Sequence, residues 1–138
     1  MTAKLDALVQ QTFNASTAQV TSAILEQQPL TSITRLKLTA NLTALLGLPT
    51  ADISALLETQ PSQSIDAEIS VEALDRTLAL LQLYSKVSSL IGEAGAQSWL
   101  VSHKQALGGS RPLDYLRSRV GAARLETDLG ALEDGAYP

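Results

Sequence analysis

The chain is predicted to be an all-α protein, and three observations predict it. Apolar residues recur three or four positions apart along nearly its whole length, the period of one buried helix face. Gly, Pro and Ser/Thr fall between these stretches, where helices start and stop. No segment reads as a convincing strand. At 138 residues, with 45% hydrophobic and 17% charged, the chain suits one compact helical bundle or two small helical modules. Only 4% is aromatic, so the core must be built from Leu, Ile, Val and Ala.

Leu5, Leu8, Val9 and Phe13 share one face of a first helix. Ser16 can cap a second that carries Val20, Ile24 and Leu25 and ends at Pro29. Ile33, Leu36, Leu38, Leu42, Leu45 and Leu46 continue as a third. Gly47-Leu48-Pro49-Thr50 reads as a turn, with Gly47 closing one helix and Thr50 capping the next. That next helix, Ala51 to Leu57, turns Ile53, Leu56 and Leu57 inward.

Gln60 to Glu68 is polar, contains Pro61 and several serines, and reads as a linker. Ser70 then caps the strongest helix, whose stripe runs Val71, Leu74, Leu78, Leu81, Tyr84, Val87 and Ile91. Gly92 and Gly95 flank a junction before a short helix, Ala96 to His103, that holds Trp99 and Leu100. After the tight Leu107–Arg111 loop, Pro112 suits the first position of a helix, where its missing N–H costs nothing. Asp114 follows in the first turn, where the helix dipole favours a carboxylate. Leu113, Leu116 and Val120 are read as inward-facing, and Gly121 as a helix break. A last helix carries Leu125, Leu129 and Leu132 and ends at Gly135. The expected organisation is an N-terminal module, residues 1–63, and a C-terminal helical domain, residues 64–138. No internal repeat or low-complexity tract is found.

Charge is unevenly spread. The net charge is −4. Residues 1–70 hold three basic residues, Lys4, Arg35 and Lys37, against six acids. From Lys104 to Arg124 the balance inverts: Lys104, Arg111, Arg117, Arg119 and Arg124 face one acid, Asp114. The tail then turns acidic through Glu126, Asp128, Glu133 and Asp134. Such a block is read either as a recognition surface or as a solvated helix face.

Most catalytic chemistry finds no support. There is no cysteine, which excludes disulfides, thiolate metal sites and cysteine nucleophiles and fits a reducing compartment. His103 is the sole histidine, without carboxylates at ligand spacing or a partner for a nucleophilic set. Gly108-Gly109 follows no strand and lacks the Lys-Ser/Thr of a phosphate loop. The expectation is a binding protein rather than an enzyme, with no cofactor and no metal. No run approaches a membrane span, and no signal segment is seen, so a soluble cytoplasmic protein is expected.

Several marks occur in order along the last half: Ala96-Gln97-Ser98-Trp99-Leu100, Ala106-Leu107-Gly108-Gly109-Ser110-Arg111-Pro112-Leu113-Asp114-Tyr115-Leu116, Val120-Gly121, and Leu129 to Gly135. This arrangement resembles the toxin-binding domain of Xre/MbcA/ParS-type antitoxins over about residues 70 to 138. Trp99, Gly108, Gly109, Pro112, Gly121 and Gly135 carry the resemblance, and their roles are read as fold-determining. The resemblance implies an antitoxin of a type II toxin–antitoxin system. Its partner would be a RES-domain, NAD-degrading toxin, neutralised by direct binding over the active site. Carried onto this chain, the implied contact residues are Arg117, Arg119, Arg124, Glu133, Asp134, Tyr137 and Pro138. An arginine meeting a carboxylate, or a carboxylate entering a cationic pocket, would serve.

The resemblance also implies a homodimer and an N-terminal helix-turn-helix that binds operator DNA and represses the protein's own operon. Leu38–Leu46, the Gly47–Thr50 turn and Ala51–Leu57 have that spacing. The helix that would enter the groove offers Thr50, Asp52, Ser54 and Glu58, a poor set for base edges and phosphates. The module is therefore read as degenerate, with Arg35, Lys37, Thr50 and Ser54 as its DNA-contact candidates. A DNA-binding regulator without a toxin, or a helical protein–protein adaptor, are the alternatives.

Overall fold

The computed structural model describes residues 2–28, 30, 32–57, 69–103 and 107–133. Seven helices occur among them: α1 (Thr2–Phe13), α2 (Thr17–Leu25), α3 (Arg35–Leu46), α4 (Thr50–Leu57), α5 (Val71–Val101), α6 (Pro112–Tyr115) and α7 (Arg119–Glu133). Among the described residues β-pairing is limited to one antiparallel bridge, Leu30 with Ile69. The fold is all-α, as expected. Pro29, the expected linker at Gln60–Glu68, and Gly135 lie outside the described residues. No helix among the described residues is long and apolar enough to cross a membrane.

The chain divides into two compact units, Met1–Leu81 and Gln82–Pro138, with the boundary inside α5. In the first unit α1 packs on α2 and α3, and α3 on α4. Leu8, Val9 and Phe13 of α1 and Leu38, Leu42 and Leu46 of α3 are buried, as are Ile53, Leu56 and Leu57 of α4. Ser16 caps α2 in a reciprocal box: its Oγ accepts from Gln19 N–H, and Gln19 Oε1 accepts from Ser16 N–H at 2.8 Å. Gly47 closes α3 in the left-handed region, φ 66°, and Ser70 Oγ accepts from Ala73 N–H at the start of α5. Arg76 Nη1 donates to the Leu56 carbonyl at 3.2 Å, satisfying an orphan acceptor in the last turn of α4.

Several faces differ from the sequence reading. Leu25 is 76% exposed and Leu36 51% exposed, whereas Arg35 is 8% exposed. The buried stripe of α3 is Arg35, Leu38, Leu42 and Leu46, spaced three, four and four. Leu36 sits 100° away from Arg35 and Ile33 precedes the helix, so neither joins the stripe. Thr50 is the first residue of α4 rather than its cap; the Pro49 carbonyl accepts from Asp52 and Ile53 N–H.

In α5 the helical run is interrupted at Gly92, φ 85° and ψ 166°, a backbone state essentially reserved for glycine. The second helical segment thus begins at Glu93, earlier than Ala96. Leu74, Leu81, Tyr84 and Val87 are buried as the stripe predicted, but Ile91, next to the break, is exposed. Burial raises the pKa of the Tyr84 hydroxyl, Glu93 raises it further, and a hydrogen bond with Gln97 opposes both. Glu93 and Gln97 lie beyond Gly92, so Tyr84 couples the two segments of α5 across the interruption.

Candidate protein-binding surface

The second unit is organised around a tight bend. Gly108 and Gly109 take φ of 67° and 87°, left-handed states that cost other residues energy. The reversal is closed by Ser110 N–H donating to the Leu107 carbonyl at 3.2 Å, and the Tyr115 hydroxyl donates to the same carbonyl at 3.2 Å. His103 Nδ1 lies 2.8 Å from the Gly109 carbonyl, which only accepts, so this nitrogen carries the proton. The histidine is thus a clasp on the bend. Leu107, Leu113 and Leu116 are buried beneath it, and Trp99 and Leu100 are buried on α5.

Pro112 opens α6, as its fixed φ favours. Asp114 folds back on Arg111: Oδ1 accepts from Nη2 at 2.8 Å, and Oδ2 from Nε at 3.1 Å and from the Arg111 backbone N–H at 3.3 Å. The Arg111 hydrogen bond is the main cause that holds the Asp114 carboxyl below its ordinary pKa, with Arg117 a smaller electrostatic contributor. The first-turn carboxylate is therefore both a helix cap and one half of an ion pair.

The break between the C-terminal helices falls before Arg119 rather than at Gly121. α6 ends at Tyr115, Leu116 to Ser118 form a turn, and α7 begins at Arg119. Ser118 caps α7: its Oγ accepts from Gly121 N–H at 3.0 Å and its carbonyl from Ala122 N–H at 3.0 Å. Gly121 does not break a helix; it sits in the first turn of α7. A Cβ there would collide with the Tyr115 carbonyl oxygen and lie 2.8 Å from its carbon. Glycine is needed at this position for close approach of the two helices' backbones.

This restart also reorients Val120. It was expected to face inward, yet it is 81% exposed, while Leu125 and Leu129 hold the buried side of α7. Arg117, Ala123, Arg124 and Thr127 are exposed around it. Val120 thus stands exposed near the start of α7, with the exposed Arg117 before it and Arg124 after it in the chain.

Of the implied contact residues, the structure brings Arg117 and Arg124 to the exposed surface. Arg119 and Glu133 belong to α7, but their side chains lie outside the described residues, as do Asp134, Tyr137 and Pro138 entirely. Of the fold-determining set, Trp99 and Pro112 are buried, Gly108 and Gly109 form the bend, and Gly121 allows the α6–α7 contact. Among the DNA-contact candidates, Lys37 and Thr50 are exposed, Ser54 is half-buried and Arg35 is buried. Sequence reasoning missed Tyr115, His103 and Ser118, whose partners are backbone groups of the bend and the α6–α7 turn. The Ser just before Arg119 was the one readable sign of a new helix start.

Comparison with curated proteins finds no match. Residues 89–135 match the family model of the antitoxin Xre/MbcA/ParS C-terminal toxin-binding domain, a segment that holds the Gly92 interruption, Trp99, the glycine bend, α6 and α7. Over this segment the C-terminal unit is therefore similar to the toxin-binding domain of Xre/MbcA/ParS-type antitoxins.

Proposed function

We propose that the protein is the antitoxin of a type II toxin–antitoxin system and that it neutralises a RES-domain, NAD-degrading toxin in the cytoplasm by covering its active site. The family match over residues 89–135 is the observation that carries this reading. The geometry supports it: a bend fixed by Gly108, Gly109, Pro112 and Gly121 presents α7 in a defined orientation within its unit. A preorganised surface loses little entropy on binding. The work is done by contact, with no bond made or broken.

Arg117, Arg119, Arg124, Glu133, Asp134, Tyr137 and Pro138 are the proposed toxin contacts. Residues 64–138 would act as the toxin-binding domain and 1–63 as a helix-turn-helix-like module that dimerises and represses the operon. Arg35 lies on the buried stripe of α3, so operator contacts would fall to Lys37, Thr50 and Ser54.

The test is co-expression with the product of the adjacent gene. Restored growth, co-purification, and loss of NAD consumption in the mixture are the expected results. An adjacent product that stays toxic and does not co-purify refutes the assignment. Turnover of a small molecule by the purified chain alone would refute the contact mechanism.

A further inference from the structure

We propose that Val120, flanked by Arg117 and Arg124, is the anchor of the toxin interface, and that it enters an apolar socket with an acidic rim on the toxin's surface. This rests on the antitoxin reading above and adds the chemistry of the partner surface.

Five large apolar residues are exposed among the described residues: Leu25, Leu36, Leu90, Ile91 and Val120. The last three fall inside the segment matched to the toxin-binding domain. Val120 is the most exposed of all five, at 81%. Leu90 has Lys86 four residues before it and Glu93 three after it, so its surroundings carry no consistent sign. Val120 has an exposed arginine three residues before it and another four after it. Those offsets place Val120 and Arg124 on the same side of α7. Ala123 and Thr127 complete that side and are small enough to let a partner approach.

The site is also rigid where it matters. Val120 lies in the first turn of α7, between the Ser118 cap and Gly121. The close packing of Gly121 on the Tyr115 carbonyl fixes where that turn sits relative to α6. An apolar side chain held rigidly in the open has the character of a binding anchor, and a cationic surround selects an anionic rim. The partner's carboxylates would meet Arg117 and Arg124 outside the catalytic pocket. Blocking the pocket itself is then left to other parts of the chain.

The experiment measures binding of the purified adjacent-gene product to the full chain and to two variants, Val120→Glu and the pair Arg117→Glu with Arg124→Glu. All three side chains are exposed, so circular dichroism and thermal melting should leave the fold unchanged. Val120→Glu is expected to weaken binding at least about tenfold, chiefly through faster dissociation. The double reversal should slow association about tenfold at low salt, with the difference shrinking as salt rises. Equal binding by wild type and both variants overturns this inference and leaves the antitoxin assignment standing. Failure of the wild type to bind overturns both. Loss of self-association by Val120→Glu, with toxin binding retained, would assign the patch to a second copy of the chain and also overturn the proposal.

Discussion

Two glycines of one helix should respond in opposite directions to the same substitution. In an exposed helix interior, Gly→Ala ordinarily stabilises by about 1 kcal/mol through lost unfolded-state entropy and better helix propensity. Gly130 should follow that rule, because a Cβ there meets nothing within 4 Å. Gly121 should break it. Its new Cβ would overlap the Tyr115 carbonyl oxygen and stand 3.0 Å from Ser118 Oγ. The first obstacle is backbone, so relief requires α6 and α7 to part by about 1 Å. That shift strains the junction at about 2 kcal/mol, as overpacking does. It also weakens the Ser118 cap, worth about 1 kcal/mol. Against the gain of about 1 kcal/mol in propensity, the net loss is about 2 kcal/mol. For a chain of this size that lowers Tm by about 8 °C, against a rise of about 4 °C for Gly130→Ala. Melts followed at 222 nm, with urea titrations at 25 °C, give both signs. A Gly121→Ala variant as stable as wild type, or more so, would show that the α6–α7 contact is looser than described and refute the close-approach argument.

Other perturbations test separate features. Thr12 is buried on α1, and its Oγ1 has no hydrogen-bond partner; Thr12→Val keeps the shape, removes the orphan hydroxyl, and should raise the urea midpoint by an amount equivalent to about 1 kcal/mol. A lower midpoint would mean the hydroxyl has a partner. Gly92→Ala forces a side chain into φ 85°, ψ 166°, and should cost about 1–3 kcal/mol; an unchanged Tm would count against the interruption of α5. Asp114→Asn should cost roughly 0.5–1 kcal/mol at neutral pH, since the lost ion pair is partly exposed. The Asp114 pKa is lowered in the fold, so its stabilisation is fully present above the ordinary value of 3.8 and is lost as pH falls through the folded value. The wild-type and Asp114→Asn stability curves should therefore converge below pH 3.8; a gap that persists there would exclude the carboxylate's charge as its source.

Helix existence was readable throughout, because each element has both a stripe and a punctuating residue. Ser16, Gly47, Ser70 and Pro112 mark ends by local chemistry that tertiary packing does not override. Which apolar residues face inward was less readable. Ile24-Leu25 are adjacent, and adjacent residues on a helix point 100° apart, so hydrophobicity alone could not choose between them. Arg35 shows the converse: a charged residue was read as available to DNA, yet its spacing from Leu38 and Leu42 puts it on the buried stripe. Long basic side chains can lie along apolar surface, and sign of charge does not reveal that.

Val120 is the sharpest instance, and it bears on function. Leu113, Leu116 and Val120 are spaced three and four apart, which on one unbroken helix makes a single buried stripe. The helix ends at Tyr115 and restarts at Arg119, so the angular phase is reset across three turn residues. After the reset, the stripe of α7 is Leu125 and Leu129, and Val120 faces outward. The residues that carry the family pattern, Trp99, Gly108, Gly109, Pro112 and Gly121, are buried, in left-handed backbone, or in close backbone approach. They specify a shape that any member of such a family would need. A partner-specific surface must instead vary with its partner, and so would be carried by residues outside that pattern. Arg117, Val120 and Arg124 meet that requirement: they are exposed, make little demand on the backbone, and ride on a scaffold fixed by the others. On the proposed function, exchanging this surface for that of an Xre/MbcA/ParS-type antitoxin while retaining the scaffold should therefore redirect toxin choice without altering the melting temperature. If the exchange left toxin choice unchanged, specificity would have to reside elsewhere in the chain.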